Sequence, residues 1–239
     1  MEVWGGYRLR DFLLFAPRTY WRLFELENQA LWPLHVPVLA AALAVLVLLF
    51  RPRPWSSRAI AALLAAGWAW VGLGFVGTRY AAINWAAAHA VPGFVLQALA
   101  LLLVGTLAGR LHLAAGRSVT AATGLALYAY AVALHPLTAL LSGRPLAGAE
   151  VVGIAPDPTA IATLGLLTLA APAWGARLLL VVPLLWCAAS GLTLLTMQAW
   201  EGWIPLAAAA VALSAQVWSG IRSWSAEPPR ESGRGSRTR

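Results

Sequence analysis

An all-α integral membrane bundle of about seven transmembrane helices, preceded by an N-terminal interfacial amphipathic helix, is the fold class this sequence predicts. Three observations predict it. Of 239 residues, 60% are hydrophobic and only 11% charged, where a soluble domain has roughly 45–50% and about 25%; mean hydropathy is +0.72. The apolar residues form continuous runs near the ~20 residues a helix needs to cross a bilayer, without the alternation of barrel strands. Tryptophans and arginines mark the ends of those runs, the tryptophans as an interfacial belt. Together these exclude a soluble globular domain, a disordered chain and a nucleic-acid module, despite a net charge of +8. The expected surroundings are the lipid bilayer, with no nucleic acid.

Residues 1–31 read as an interfacial segment. No cleavable signal is expected there, because its apolar run, Phe12 to Ala16, is short and stands between Arg10 and Pro17. Pro17 suits the first turn of a helix. Tyr20, Leu23, Phe24 and Leu31 then fall roughly on one face, with Arg18, Arg22, Glu25 and Asn28 elsewhere. Such a helix lies in the membrane interface; the alternative is a lid over the outer mouth of the bundle.

Residues 32–221 hold seven candidate spans: Trp32 to Phe50, Ala59 to Gly77, Pro92 to Gly109, Val119 to Leu141, Pro158 to Trp174, Leu178 to Met197 with Pro183 inside it, and Trp203 to Ile221. Arginine sets their direction. Arg51, Arg53, Arg58, Arg110, Arg117 and Arg177 follow odd-numbered spans, as do the arginines of the tail. The other side has Arg79, Arg144, Glu150, Asp157 and Glu201. The expectation is a multi-pass protein of the bacterial inner membrane with its C-terminus in the cytoplasm. A re-entrant fifth segment would invert the last two spans and put the tail arginines outside. Residues 222–239, rich in Pro, Ser, Gly and Arg, cannot bury a core and are expected to be disordered.

Ionisable groups at membrane depth are costly, so each is a functional candidate. His135 sits in the fourth span before Pro136, whose missing N–H opens a local polar site. It reads as a ligand or proton carrier, or as a neutral histidine bonded to a freed carbonyl. In Pro156-Asp157-Pro158-Thr159, Asp157 reads as the N-cap of a helix that starts sharply at Pro158, or as a cation or proton site. Asn84, in the stretch Thr78–Trp85, reads as cavity-facing or as an interfacial anchor. The pattern Gly105-x-x-x-Gly109 marks close helix packing, inside the chain or with a second chain. The lone Cys187 excludes a CxxC centre and reads as packing. There is no HExxH, no phosphate-binding glycine loop and no serine nucleophile elbow. The histidine spacing does not support a haem. No cofactor and no metal are therefore expected.

The segment Glu27-Asn28-Gln29-Ala30-Leu31-Trp32-Pro33 resembles the N-terminal motif of a family of bacterial multi-pass inner-membrane proteins known only as a domain of unknown function. Trp68-Ala69-Trp70-Val71-Gly72, Ala82-Ile83-Asn84 and Pro156-Asp157-Pro158-Thr159 are similar to its further motifs, in order over roughly residues 20–220. The family usually has an aromatic at Glu27, often Cys at Asp157, and His or Tyr where this chain has Leu73 and Gly74; these departures weaken a metal-site reading. The resemblance implies a helical inner-membrane fold and supplies no activity. The functional expectation is a transporter or permease-like protein for a small solute, its site formed by His135, Asp157 and Thr159 with Asn84 nearby. The alternative is a non-transporting accessory or scaffold protein whose small-residue faces hold a membrane partner or a second copy.

Overall fold

The computed structural model describes residues 15–170 and 174–225. The expected disorder of the tail beyond residue 225 lies outside the described residues. Every regular element among the described residues is a helix, with no β-strand. Helix α1 (Pro17–Leu31) bends by 97° into α2 (His35–Phe50), with a cis Trp32–Pro33 bond between them. There follow α3 (Ser56–Ile83), α4 (Trp85–Leu107), α5 (Val119–Leu141), α6 (Pro156–Leu169), α7 (Gly175–Thr196) and α8 (Trp200–Ile221).

Each predicted apolar segment forms a helix, but helix length supports fewer full spans than seven. Five helices, α3, α4, α5, α7 and α8, are long and apolar enough to cross alone, and the α1–α2 pair brings the number to at most six. Helix α6 has 14 residues, about 21 Å at 1.5 Å per residue, against a hydrocarbon core of ~30 Å. Every one of its residues from Pro156 to Thr168 is buried by protein. It runs antiparallel to α5: a Cβ on Gly124 would lie 2.5 Å from the Gly165 carbonyl oxygen, and one on Gly165 would lie 2.7 Å from the Gly124 carbonyl and the Tyr128 amide. Only glycine on both sides allows the two backbones to touch in this way.

Prolines explain the irregular turns. Pro183 cannot donate to the carbonyl four residues earlier, that of Leu179. Helix α7 is accordingly interrupted between Leu178 and Val181, and buried Gln97 of α4 donates its Nε2 to the freed Leu179 oxygen at 2.9 Å. Pro136 does the same to α5, which passes through a π-helical turn at Tyr130–Leu134 and a 3-10 turn at His135–Leu137. The core is aromatic around α3. Trp68 packs tilted against Phe94 with ring centres 4.8 Å apart, and Phe94 meets Trp186 edge-on at 4.8 Å. Trp68 also donates to Thr163 of α6 at 2.8 Å. Tyr128 of α5 donates to the Ala42 carbonyl of α2 at 2.8 Å.

The bundle has two unlike ends. At one, the loop after α4 folds back under the α2–α3 turn: the Ala115 amide donates to the Leu49 carbonyl at 2.9 Å and the Leu113 amide to Ser57 Oγ at 2.9 Å. This is the arginine end. At the other, α1 lies across the helix ends and forms a cap. Its buried Phe24 stacks on Phe75 of α3 at 4.7 Å, and Asn28 donates to the carbonyls of Ala147 and Ala149 at 2.8 Å each. The apolar face of α1 therefore rests on the bundle, which is the lid arrangement. Its buried residues are Tyr20, Leu23, Phe24 and Glu27, with Leu31 left half-buried.

Candidate functional site

The cap encloses a cluster of charged side chains. Arg144 leaves the end of α5 and turns inward. Its Nη2 is 3.3 Å from Glu201 Oε1 and 3.8 Å from Glu150 Oε1, and its guanidinium carbon lies 3.5 Å from the centre of the Trp21 ring of α1. Glu150 belongs to the loop between α5 and α6, and Glu201 to the 3-10 turn that opens α8. His135 is only 3% exposed. Its Nε2 is 3.7 Å from Glu150 Oε2, too far for a hydrogen bond, and neither ring nitrogen has a partner. Arg144 Nε and Nη1 are likewise buried and unpartnered. Buried polar atoms are nearly always satisfied, so this concentration of free donors and acceptors is unusual.

Asp157 is not the N-cap that the sequence suggests. Helix α6 starts at Pro156, with Ala155 in the cap position and no side-chain cap. The helix begins one residue before Asp157, at Pro156, so Asp157 is its second residue rather than its cap. The carboxylate is free to turn across to α7, where it accepts from Trp186 Nε1 at 2.8 Å and Ser190 Oγ at 2.7 Å. Asp157, Glu150 and Tyr20 share one electrostatic environment: burial first, then the carboxylates of Asp157 and Glu150, push the Tyr20 hydroxyl of α1 well above its ordinary value. Of the three buried carboxylates, Glu150 and Glu201 face the guanidinium of Arg144, Glu150 also faces the imidazole of His135, and Asp157 is held by Trp186 and Ser190.

Thr159 and Asn84 are held in local bonds. Thr159 Oγ1 accepts from the Gly153 amide and donates to the Ala155 carbonyl, both at 2.7 Å, latching the loop onto α6. Gly153 has φ +83°, a turn conformation that suits glycine. Asn84 Oδ1 accepts from the Ala86 amide at 3.2 Å and its backbone amide donates to the Tyr80 carbonyl at 2.9 Å, closing the break between α3 and α4. A second ion pair, Arg79 with Glu27 at 2.8 Å, ties α3 to the cap.

Sequence reasoning treats Arg144, Glu150 and Glu201 only as loop charges that report orientation, and takes no account of Gln97. The available signal is the density of ionisable residues between 144 and 157, flanking a proline-broken helix end, and a single acid between Trp200 and Trp203. Beside the cluster lies a groove of about 600 Å³, lined among others by Asn28, His35, Val132, Pro136, Ala149 and Val151. His35 Nε2 meets Asn28 Oδ1 at 3.0 Å on its wall, and His35 Nδ1 has no partner. The groove shares the chain segments that carry His135 and Glu150.

No curated protein and no solved structure matches the chain. The model of one family, described as a family of unknown function (DUF6064), matches residues 18–224. That stretch runs from the first turn of α1 to the end of α8 and contains every residue of the ionic cluster. The chain, a multi-helix protein with several helices able to cross a membrane, belongs to the DUF6064 family, whose function is unknown.

Proposed function

We propose that the protein is a membrane carrier for a small solute, with its recognition site at the ionic cluster beneath α1. The observation that carries this reading is His135: enclosed, with both ring nitrogens free, and 3.7 Å from a buried glutamate. Ionisable groups kept inside a helical bundle mark substrate and ion pathways, and the surplus of carboxylates over arginine favours a cationic solute. His135 and Glu150 supply recognition. Asp157 and Arg144 hold the charge balance, and the groove beside Asn28 and His35 is the entrance. Thr159 and Asn84 shape the surrounding loops. The same reading puts the protein in the bacterial inner membrane with the arginine end, and so the C-terminus, in the cytoplasm; the separation of arginine from acid supports it. The accessory reading draws no support from the Gly105 and Gly109 pair. A Cβ on Gly105 would lie 2.5 Å from Ala61 Cβ and one on Gly109 2.7 Å from Arg58, so both serve packing against α3.

The test is thermal stabilisation of purified protein by a panel of alkali ions, ammonium, quaternary amines and polyamines, followed by counterflow in liposomes with the stabilising compound. A ligand at 100 times its Kd stabilises by about 2.7 kcal/mol, several degrees of melting temperature. Stabilisation that disappears in His135→Gln and Glu150→Gln supports the site. Stabilisation equal in wild type and both variants, or a panel without effect, overturns it.

A further inference from the structure

The arginine end is independent of that reading. Arg51 and Arg53 lie in the α2–α3 turn, Arg58 in the first turns of α3, and Arg110 and Arg117 in the loop folded beneath them. All five are exposed. Among the described residues none of them makes an ion pair, and the described acids Glu27, Glu150, Asp157 and Glu201 are all engaged at the capped end. Glu25 is there too, its side chain against Gly148. Arg58 is drawn over the backbone at Gly109, where a Cβ would lie 2.7 Å from its Nε. This sets it next to Arg110.

Directly inside this basic turn, α2 and α3 do not close on one another. A groove of about 660 Å³ separates them, lined by Ala44, Val47, Leu48, Ala59 and Ala62, with Trp55 at its mouth. The alanines facing one another create the space, and Trp55, 51% exposed, stands where an interfacial tryptophan meets lipid headgroups. An apolar slot at membrane depth ending under unneutralised arginines has the two chemistries of one ligand. Arginine forks bind phosphate oxygens in pairs, and a zwitterionic headgroup would leave the charge uncompensated.

We propose that an anionic phospholipid seats here, with one acyl chain in the α2–α3 groove and its phosphate on Arg51 and Arg53. Arg58 and Arg110 add to the field. At an anionic membrane surface each basic residue is worth about five-fold in affinity, so removing two costs more than ten-fold.

The experiment is native mass spectrometry of the full chain in detergent, titrated with phosphatidylglycerol or with phosphatidylcholine of the same acyl chains. Wild type is expected to take up phosphatidylglycerol at a concentration at least ten-fold lower. R51Q/R53Q, both on exposed side chains, should remove that preference without changing the melting temperature. A62F, which fills the groove, should weaken uptake of both lipids, and inorganic phosphate at equal concentration should not displace phosphatidylglycerol. Equal uptake of the two lipids by wild type, or a preference that survives in R51Q/R53Q, would overturn the proposal. So would displacement by inorganic phosphate, which would mean a phosphate site without an acyl slot.

Discussion

Replacing Arg144 with methionine tests whether the cap is held by its charges. Methionine keeps an unbranched apolar stem and removes the guanidinium. Two carboxylates lose their cation, Glu201 at 3.3 Å and Glu150 at 3.8 Å, and both are over 90% buried. A single pair at about 4 Å in a surface-like dielectric is worth ~4 kcal/mol in Coulomb energy, but the measured cost of breaking a buried pair is about 3–5 kcal/mol. The contact with Trp21 at 3.5 Å contributes roughly 0.5–2 kcal/mol more. A total of ~5 kcal/mol corresponds to a melting temperature lower by roughly 10–20 °C for a chain of this size. The assay is thermal unfolding in detergent, followed by tryptophan fluorescence, for Arg144→Met, Glu201→Gln and the double variant. The double variant should regain about half of the loss, because the carboxylate stranded by the first change is gone. An Arg144→Met protein melting within about 2 °C of wild type would refute the reasoning, as would a double variant showing no recovery.

Three further outcomes are expected. Gly165→Ala puts a Cβ 2.7 Å from two backbone atoms of α5 and should cost about 1–3 kcal/mol by overpacking; Gly93→Ala, whose Cβ meets only Val182 at 4.0 Å, should be neutral or slightly stabilising in the same melting assay. Asn28→Ala removes the two bonds to Ala147 and Ala149 and the contact with His35, so amide hydrogen exchange across Pro17–Leu31 should quicken roughly ten-fold or more; unchanged exchange would mean that α1 is held by its aromatic face alone. Gln97→Leu leaves the Leu179 carbonyl without its 2.9 Å donor and should cost about 1–3 kcal/mol, visible in a chemical unfolding titration; a cost below about 0.5 kcal/mol would show that the α7 break satisfies itself.

The helices were legible because lipid imposes a simple rule on residues that face it: apolar runs between Trp55 and Trp85, or between Val119 and Leu141, have no soluble reading. The orientation signal was legible for the same reason, as arginines at one end. The cap was half legible. The 3.6-residue period gives the buried face at Tyr20, Leu23 and Phe24, but period alone does not say whether lipid or protein covers that face, and it cannot foresee a buried Glu27 whose partner, Arg79, lies 52 residues away. The site was legible where one residue announces itself, as His135 before Pro136 and Asp157 between prolines do. It was illegible at Arg144, Glu150 and Glu201, because exposed loop charges and buried cluster charges look alike until the chain is folded. The role of Asp157 turned on where the helix starts: either proline suits a first helical turn, and the start at Pro156 makes Asp157 a helical residue instead of the cap.

The enclosure of α6 bears on how the protein is made. A segment of 14 residues that carries Asp157 and two prolines in its first turn has too little apolar length to partition into lipid by itself as it leaves the insertion machinery. Its place in the bundle is available only once α5 presents the glycine seam at Gly124 and α7 offers Trp186 and Ser190 to the carboxylate. Biogenesis then has an order: the long helices enter first, and α6 is drawn between them as a late event of assembly. A defect in the seam would accordingly appear as chains that insert but fail to complete assembly and are degraded, as well as weakened ones.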